Sequence, residues 1–343
     1  MLPCGVVRCL QLDGNCVCQL RAEPNKINLK TNSTKGKPMR IILALDGSDE
    51  SLDAARLLKR LPLPQQTQVT VVTAVVDTPM DEIDAEVWMQ VREAARATAL
   101  ENYQAVLPHL GPLSAKTEHR LLEGHPSRVI VEAAQERNAD LIVLGARGHS
   151  LIARVLLGST SDYVANHAAC SVLIARPPAQ SSPPAQSSPP AGARTALQAG
   201  PAAPLRVLLA YDGSAGAVVA AEQLFSLDWT SDTQLHLTTL LERPHMLPED
   251  EVYDPQSIAE GRQRLAALVA EADCAATVDY DVRETQHVGD ALAHLANEQQ
   301  GDLIFIGETG RSALAKFFLG SATRHVMHHS RASVWIARRK SWR

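Results

Sequence analysis

The chain has 343 residues, enough for two compact cores of ordinary domain size. Its formal net charge is −5 and only 4% of it is aromatic, so it offers neither a basic footprint nor a stacking platform for nucleic acid. No apolar run approaches the ~18 residues of a membrane-spanning helix, so no membrane partner is expected and the expected location is the cytoplasm.

Residues 1–38 carry Cys4, Cys9, Cys16 and Cys18. Their C-x4-C-x6-C-x-C spacing does not match the paired C-x2-4-C of structural zinc. Arg8 and Asp13 interrupt what would be the apolar region of a signal peptide. This leader is expected to be disordered, and a natural start at Met39, where the first strand begins, is compatible with it. The apolar patterning then predicts strands near 40–45, 68–76, 115–122, 140–144 and 171–176. Helices are predicted near 50–60, 81–107, 126–137 and 158–168, with Trp88 and Met89 of the second as packing residues. Residues 177–204 repeat PPAQSS and have nothing to bury; they read as a linker that reaches roughly 80 Å at ~3.1 Å per residue. Beyond it the order recurs, with strands near 205–210, 233–241, 276–284, 302–306 and 332–338. Two domains follow, 39–176 and 205–343. Strands alternating with helices imply an α/β fold, a parallel sheet covered on both faces.

One element occurs in both domains. The first copy is LIVLGARGHSLIARVLLGST, with Gly145, Gly148, Gly158 and Ser159; the second is LIFIGETGRSALAKFFLGSA, with Gly307, Gly310, Gly320 and Ser321. Both follow G-x2-G-x9-G-S after a short apolar strand. Glycines there let bare N–H groups approach an anion, and a helix opening at Gly-Ser favours negative charge. The alternative, glycines that only shape a loop and a serine that only caps a helix, stays open. Each domain also ends its first strand in Asp-Gly-Ser, at Asp46 and Asp212. That tripeptide is ordinary turn and cap composition. In a doubly wound sheet, however, strands one and four are neighbours, so the acid and the glycine loop can share one pocket.

With these markers the chain resembles the universal stress protein family in a tandem form, over roughly 39–176 and 205–338. The resemblance implies two doubly wound five-stranded parallel sheets of strand order 3-2-1-4-5, the adenine nucleotide alpha hydrolase-like fold. It implies ATP, or ADP or AMP, as ligand, with Mg2+ on the phosphates left open and no metal held by protein side chains alone. Matched by position, the first site comprises Ala44, Leu45 and Asp46 of strand one, Val75 of strand two, and Leu144, Gly145, Arg147, Gly148 and His149. Gly158, Ser159 and Thr160 complete it. The second comprises Ala210, Tyr211, Asp212, Leu240, Ile306, Gly307, Gly310 and Arg311, with Gly320, Ser321 and Ala322. Gly124-His125-Pro126 matches the family's G-x-P turn, from which Gln286-His287-Val288 departs. Family members commonly dimerise through the last strand. Ser171–Ala175 and Ser333–Ala337 are therefore expected to pair within this chain, as a pseudo-dimer; a further homodimer and an unidentified protein partner stay open.

Between the glycines the first copy has Arg147 and the second has Glu308, so the first site is expected to bind nucleotide more tightly. The chain has no G-x4-G-K-[ST] loop, no kinase motifs and no SGG-x-DS loop of ATP pyrophosphatases, and no catalytic residue is assigned. The expected function is that of an ATP-binding regulator or sensor in a stress response. A slow ATP-hydrolysing or adenylate-kinase-like enzyme, and a chaperone-like interaction protein with vestigial pockets, remain the alternatives.

Overall fold

The computed structural model describes residues 8–12, 15–19, 37–76, 85–148, 157–177, 204–243, 254–310 and 319–342. Its first half contains the strands β3 (Arg40–Ala44), β4 (Gln68–Val75), β5 (Thr117–Glu123), β6 (Leu141–Gly145) and β7 (Ser171–Ala175). They alternate with helices α1 (Asp49–Arg60), α2 (Ala85–Leu110), α3 (Pro126–Glu136) and α4 (Ser159–His167). The second half repeats this with β8 (Arg206–Ala210), β9 (Gln234–Glu242), β10 (Thr277–Thr285), β11 (Leu303–Gly307) and β12 (Ser333–Ala337). Its helices are α5 (Ala215–Ser226), α6 (Pro255–Glu271), α7 (Val288–Glu298) and α8 (Ser321–His329).

Within each half all pairings are parallel and the order is 3-2-1-4-5: β5-β4-β3-β6-β7, and β10-β9-β8-β11-β12. Strands buried on both faces need apolar residues at every position. β6, β7, β11 and β12 obey this, with all of their residues buried. The outermost strands β5 and β10 read TEHRLLE and TVDYDVRET, and such charged edges discourage further pairing.

The last strands meet. β7 and β12 pair antiparallel with Leu173 opposite Trp335, joining the halves into one sheet of 10 strands. The contacts flanking this seam are duplicated. Arg176 N donates to Ser333 Oγ at 3.1 Å, and Arg338 N donates to Ser171 Oγ at 3.1 Å. Arg176 Nη2 donates to the Met327 carbonyl, and Arg338 Nη2 to the corresponding Ala165 carbonyl. Helices then divide between the faces: α1, α2, α5 and α6 cover one core cluster, containing Leu43, Leu58, Leu224 and Trp335. α3, α4, α7 and α8 cover the other, containing Ile42, Ile130, Leu295 and Val326.

Two expectations need correction. The leader is not wholly without structure, because β1 (Arg8–Leu12) and β2 (Asn15–Gln19) pair antiparallel, Cys9 opposite Cys18. In sequence the two strands flank Asp13-Gly14, a dipeptide that suits two-residue hairpin loops. Met89 does not pack; it is 65% exposed, and Val87, Val91 and Leu100 are exposed with it. The apolar residues of α2 are spread around its circumference, so a single buried face cannot take them all. The linker residues 178–203 lie outside the described residues.

Candidate functional site

The site starts at the two Asp-Gly-Ser turns. Gly47 (φ 83°) and Gly213 (φ 78°) occupy the left-handed region, which glycine enters without steric cost. The turn lets Asp46 Oδ1 accept from Ser48 N at 3.0 Å and from Ser48 Oγ at 2.6 Å. Asp212 Oδ1 likewise accepts from Ser214 N at 2.9 Å. Each serine then caps the next helix, Ser48 Oγ accepting from Ser51 N and Ser214 Oγ from Ala217 N, both at 3.2 Å. With Oδ1 held in the turn, Oδ2 faces the glycine loop. A Cβ built on Gly148 would lie 2.5 Å from Asp46 Oδ2, and one on Gly310 would lie 3.1 Å from Asp212 Oδ2. The strand-one acid and the second glycine are neighbours in both halves.

The other glycines have different work. A Cβ on Gly145 would fall 2.9 Å from the Glu50 backbone, and one on Gly307 would fall 2.3 Å from the Gly216 backbone. Gly145 and Gly307 therefore admit the first turn of α1 or α5 against the strand end. Gly158 and Gly320 are the N-cap residues, so Ser159 and Ser321 open their helices rather than cap them. The loop N–H groups of Gly158 and Gly320 donate to Ala146 O and Glu308 O, each at 2.8 Å. A residue that the sequence reading passed over ties each helix to its strand. Ser161 Oγ donates to Gly145 O at 2.7 Å, and Thr323 Oγ1 to Gly307 O at 2.8 Å. A hydroxyl two residues after Gly-Ser in both copies was the available signal.

The charges between the glycines are paired. Arg147 lies 3.0 Å from the Glu50 carboxylate, and Arg338 Nε donates to Glu308 at 2.9 Å. Both the attraction expected of Arg147 and the repulsion expected of Glu308 are thus largely compensated within the chain. The difference in affinity inferred from these two side chains loses its basis. His149 and Arg311 lie outside the described residues.

In the second half the matched residues converge on one cavity of about 70 Å³ at the carboxyl ends of β8, β9 and β11. Ala210, Tyr211, Asp212, Leu240, Ile306, Gly307, Gly310 and Ala322 all line it, and Val288 and Leu292 of α7 close its side. Whole-ligand pockets run from ~300 Å³, so this one is small beside them. In the first half the described cavity that reaches Asp46 and Val75 lies elsewhere. It measures about 420 Å³ and lies between Asp46, Thr73, Val75 and the α2 residues Trp88, Arg92, Ala95 and Asn102. The guanidinium of Arg92 stands 4.4 Å over the Trp88 ring there.

Strand register also separates the two matched residues of strand two. Arg40 pairs with Gln68 and Arg206 with Gln234, so Leu240 corresponds to Ala74, and Val75 to Leu241. Matching Val75 with Leu240 is therefore one residue out. On a strand that offset moves a side chain to the opposite face: Leu240 packs in the cluster under α7, whereas Leu241 belongs to the other.

Beside the second cavity sits a polar cluster. Thr238, which lines the cavity, donates its hydroxyl to Asp281 Oδ1 at 2.7 Å. His236 Nε2 stands 3.3 Å from the same oxygen, and Arg283 Nε donates to Asp281 Oδ2 at 2.5 Å. Burial pushes the Asp281 carboxyl up, but His236, Thr238 and Arg283 outweigh it and hold the group at about 2. The folded value is below the unfolded one, so this carboxylate stabilises the fold above about pH 4 and the contribution is lost as pH falls toward 2. The size is about 2–3 kcal/mol. Acid unfolding followed by circular dichroism should therefore be less steep between pH 4 and 2 in Asp281→Asn than in the parent chain; identical slopes would contradict the assignment. Cys170 is buried, its thiol pushed up to about 12 by that burial, and so it is inert as a nucleophile.

Fold and cavity together define a tandem doubly wound α/β protein with a cleft beyond the carboxyl ends of its strands. The family model for the universal stress protein family matches residues 38–176 and 205–338. The chain belongs to that family. It is 32% identical over 140 residues to a universal stress protein of Methanocaldococcus jannaschii, covering 40% of this chain and 82% of that one. A universal stress protein of Synechocystis is 36% identical over 134 residues, 39% of this chain and 83% of its own length. The crystal structure of a universal stress protein from Archaeoglobus fulgidus superposes with a TM-score of 0.60 over 90% of this chain and 99% of that one, at 20% identity. No described helix is long and apolar enough to cross a membrane.

Proposed function

We propose that this universal stress protein binds an adenine nucleotide at the carboxyl ends of its strands and acts as a nucleotide-dependent regulator. One observation carries the reading. Residues from strand one, strand two, the glycine loop and the helix after it, distant in sequence, line a single cavity in the second half. The base would enter between Leu240, Leu292 and Ile306, and the phosphates would lie toward Gly310 and the first turn of α8, whose N–H groups favour anions. The approach of Asp46 to Gly148 repeats that of Asp212 to Gly310, so the strand-one acid and the glycine loop are arranged alike in the two halves.

Mg2+ would arrive on the phosphates of the nucleotide. Oδ1 of Asp46 and of Asp212 is held in its turn, and the regulatory reading assigns neither carboxylate a catalytic step. The seam between β7 and β12 supports a pseudo-dimer in which both clefts belong to one body. The test is the nucleotide released on denaturing the freshly purified full chain, together with its melting temperature in Mg-ATP. An adenine nucleotide, or a rise of several degrees, is expected. A nucleotide-free chain whose melting ignores Mg-ATP would leave a paired scaffold without this activity.

A further inference from the structure

The cluster beside the second cavity bears on which purine that cavity accepts. Thr238 is buried, lines the cavity and lies on β9, the strand on the base side of the cleft. A hydroxyl has one proton and two lone pairs. Asp281 Oδ1 takes the proton at 2.7 Å, and a carboxylate has none to return. Asp281 cannot turn away, because Arg283 holds its Oδ2 at 2.5 Å while His236 stands 3.3 Å from Oδ1. The Thr238 oxygen therefore meets a ligand only as an acceptor.

We infer that Thr238, oriented by Asp281, makes the second site select a purine with an amino group at position six over one with an oxo group there. The inference rests on the nucleotide reading above and deepens it. An amino group donates to the Thr238 oxygen, whereas an oxo group sets two acceptors against each other at a buried residue. The first half has no counterpart. Ala210 pairs with Thr238 in its strand register, but Ala44 pairs with Val72, which has no polar atom to offer. Asp281 stands opposite Thr238, whereas Arg120 stands opposite Val72. This is a difference between the two sites that the shared glycine motif does not reveal.

The experiment is calorimetric titration of the full chain carrying Gly148→Glu, which confines binding to the second site, with ATP and with ITP. ATP is expected to bind about tenfold or more tightly than ITP, the range for an unpaired buried acceptor. Thr238→Val in the same background should reduce that ratio to below about threefold by weakening ATP, not ITP, while Thr238→Ser should preserve it. Asp281→Asn should also reduce it, because an amide can donate to Thr238 and free the hydroxyl proton to point into the cavity. Equal affinities for ATP and ITP, or a ratio that survives Thr238→Val, would overturn the inference and leave the nucleotide site standing. No heat with either nucleotide would overturn the site itself, and this inference with it.

Discussion

A chain carrying both Gly148→Glu and Gly310→Glu is expected to unfold at the same temperature with and without Mg-ATP. The parent chain, with nucleotide at a hundred times its dissociation constant, should gain about 2.7 kcal/mol for each occupied half. The loss has two causes that act together. A side chain begins where the built Cβ stands 2.5 Å from Asp46 Oδ2 or 3.1 Å from Asp212 Oδ2, so it fills the space a phosphate would use. Its carboxylate then adds negative charge beside an existing aspartate. Neither glycine occupies the left-handed region, so the substitutions impose no strain of that kind on the fold. Single variants should each keep the response of the other half, which separates loss of a site from loss of the fold. A full ligand response in the double variant would put the phosphates somewhere other than the glycine loops.

Trp335→Ala should lower stability by about 3–5 kcal/mol, read as a fall in the urea midpoint of the full chain. Trp335 is 1% exposed and stacks on Phe305, ring centroids 4.8 Å apart; Phe305 in turn meets Trp229 edge-on at 6.5 Å. Its indole N–H donates at 2.8 Å to Gln223 Oε1, which also accepts from Ser171 Oγ at 2.9 Å. Truncation therefore opens a cavity and removes a donor at the seam where β12 meets β7. Because Ser171 belongs to the first half and Gln223 to the second, the damage should reach both. A loss under about 1 kcal/mol would mean that the seam contributes little to holding the chain together.

Much of the architecture is legible without coordinates because it depends on local pattern. Leu141–Gly145 and Leu303–Gly307 are apolar throughout, as strands covered on both faces must be, and their boundaries fall within a residue of the apolar runs. Asp-Gly-Ser announces a turn and a cap, and Ser48 and Ser214 act as caps. The approach of Asp46 to Gly148 follows from placing strands one and four side by side. Other features were invisible for equally physical reasons. Arg147 and Glu308 read as free charges until Glu50 and Arg338 are seen beside them, and Arg338 reaches Glu308 across 30 positions of chain. Thr238 and Asp281 sit in no motif; only the register of β9 against β10 makes them partners.

The order of residues was sufficient for the repeat, the α/β class and the Asp-Gly-Ser turns, since each reflects backbone sterics or burial acting over a few neighbours, while the strand order came with the family resemblance. Only the folded arrangement settled which face each strand-two side chain occupies and which charges cancel. Sides of a strand alternate at every residue, so a slip of one between Val75 and Leu240 leaves the composition unchanged yet exchanges the cavity for the opposite core.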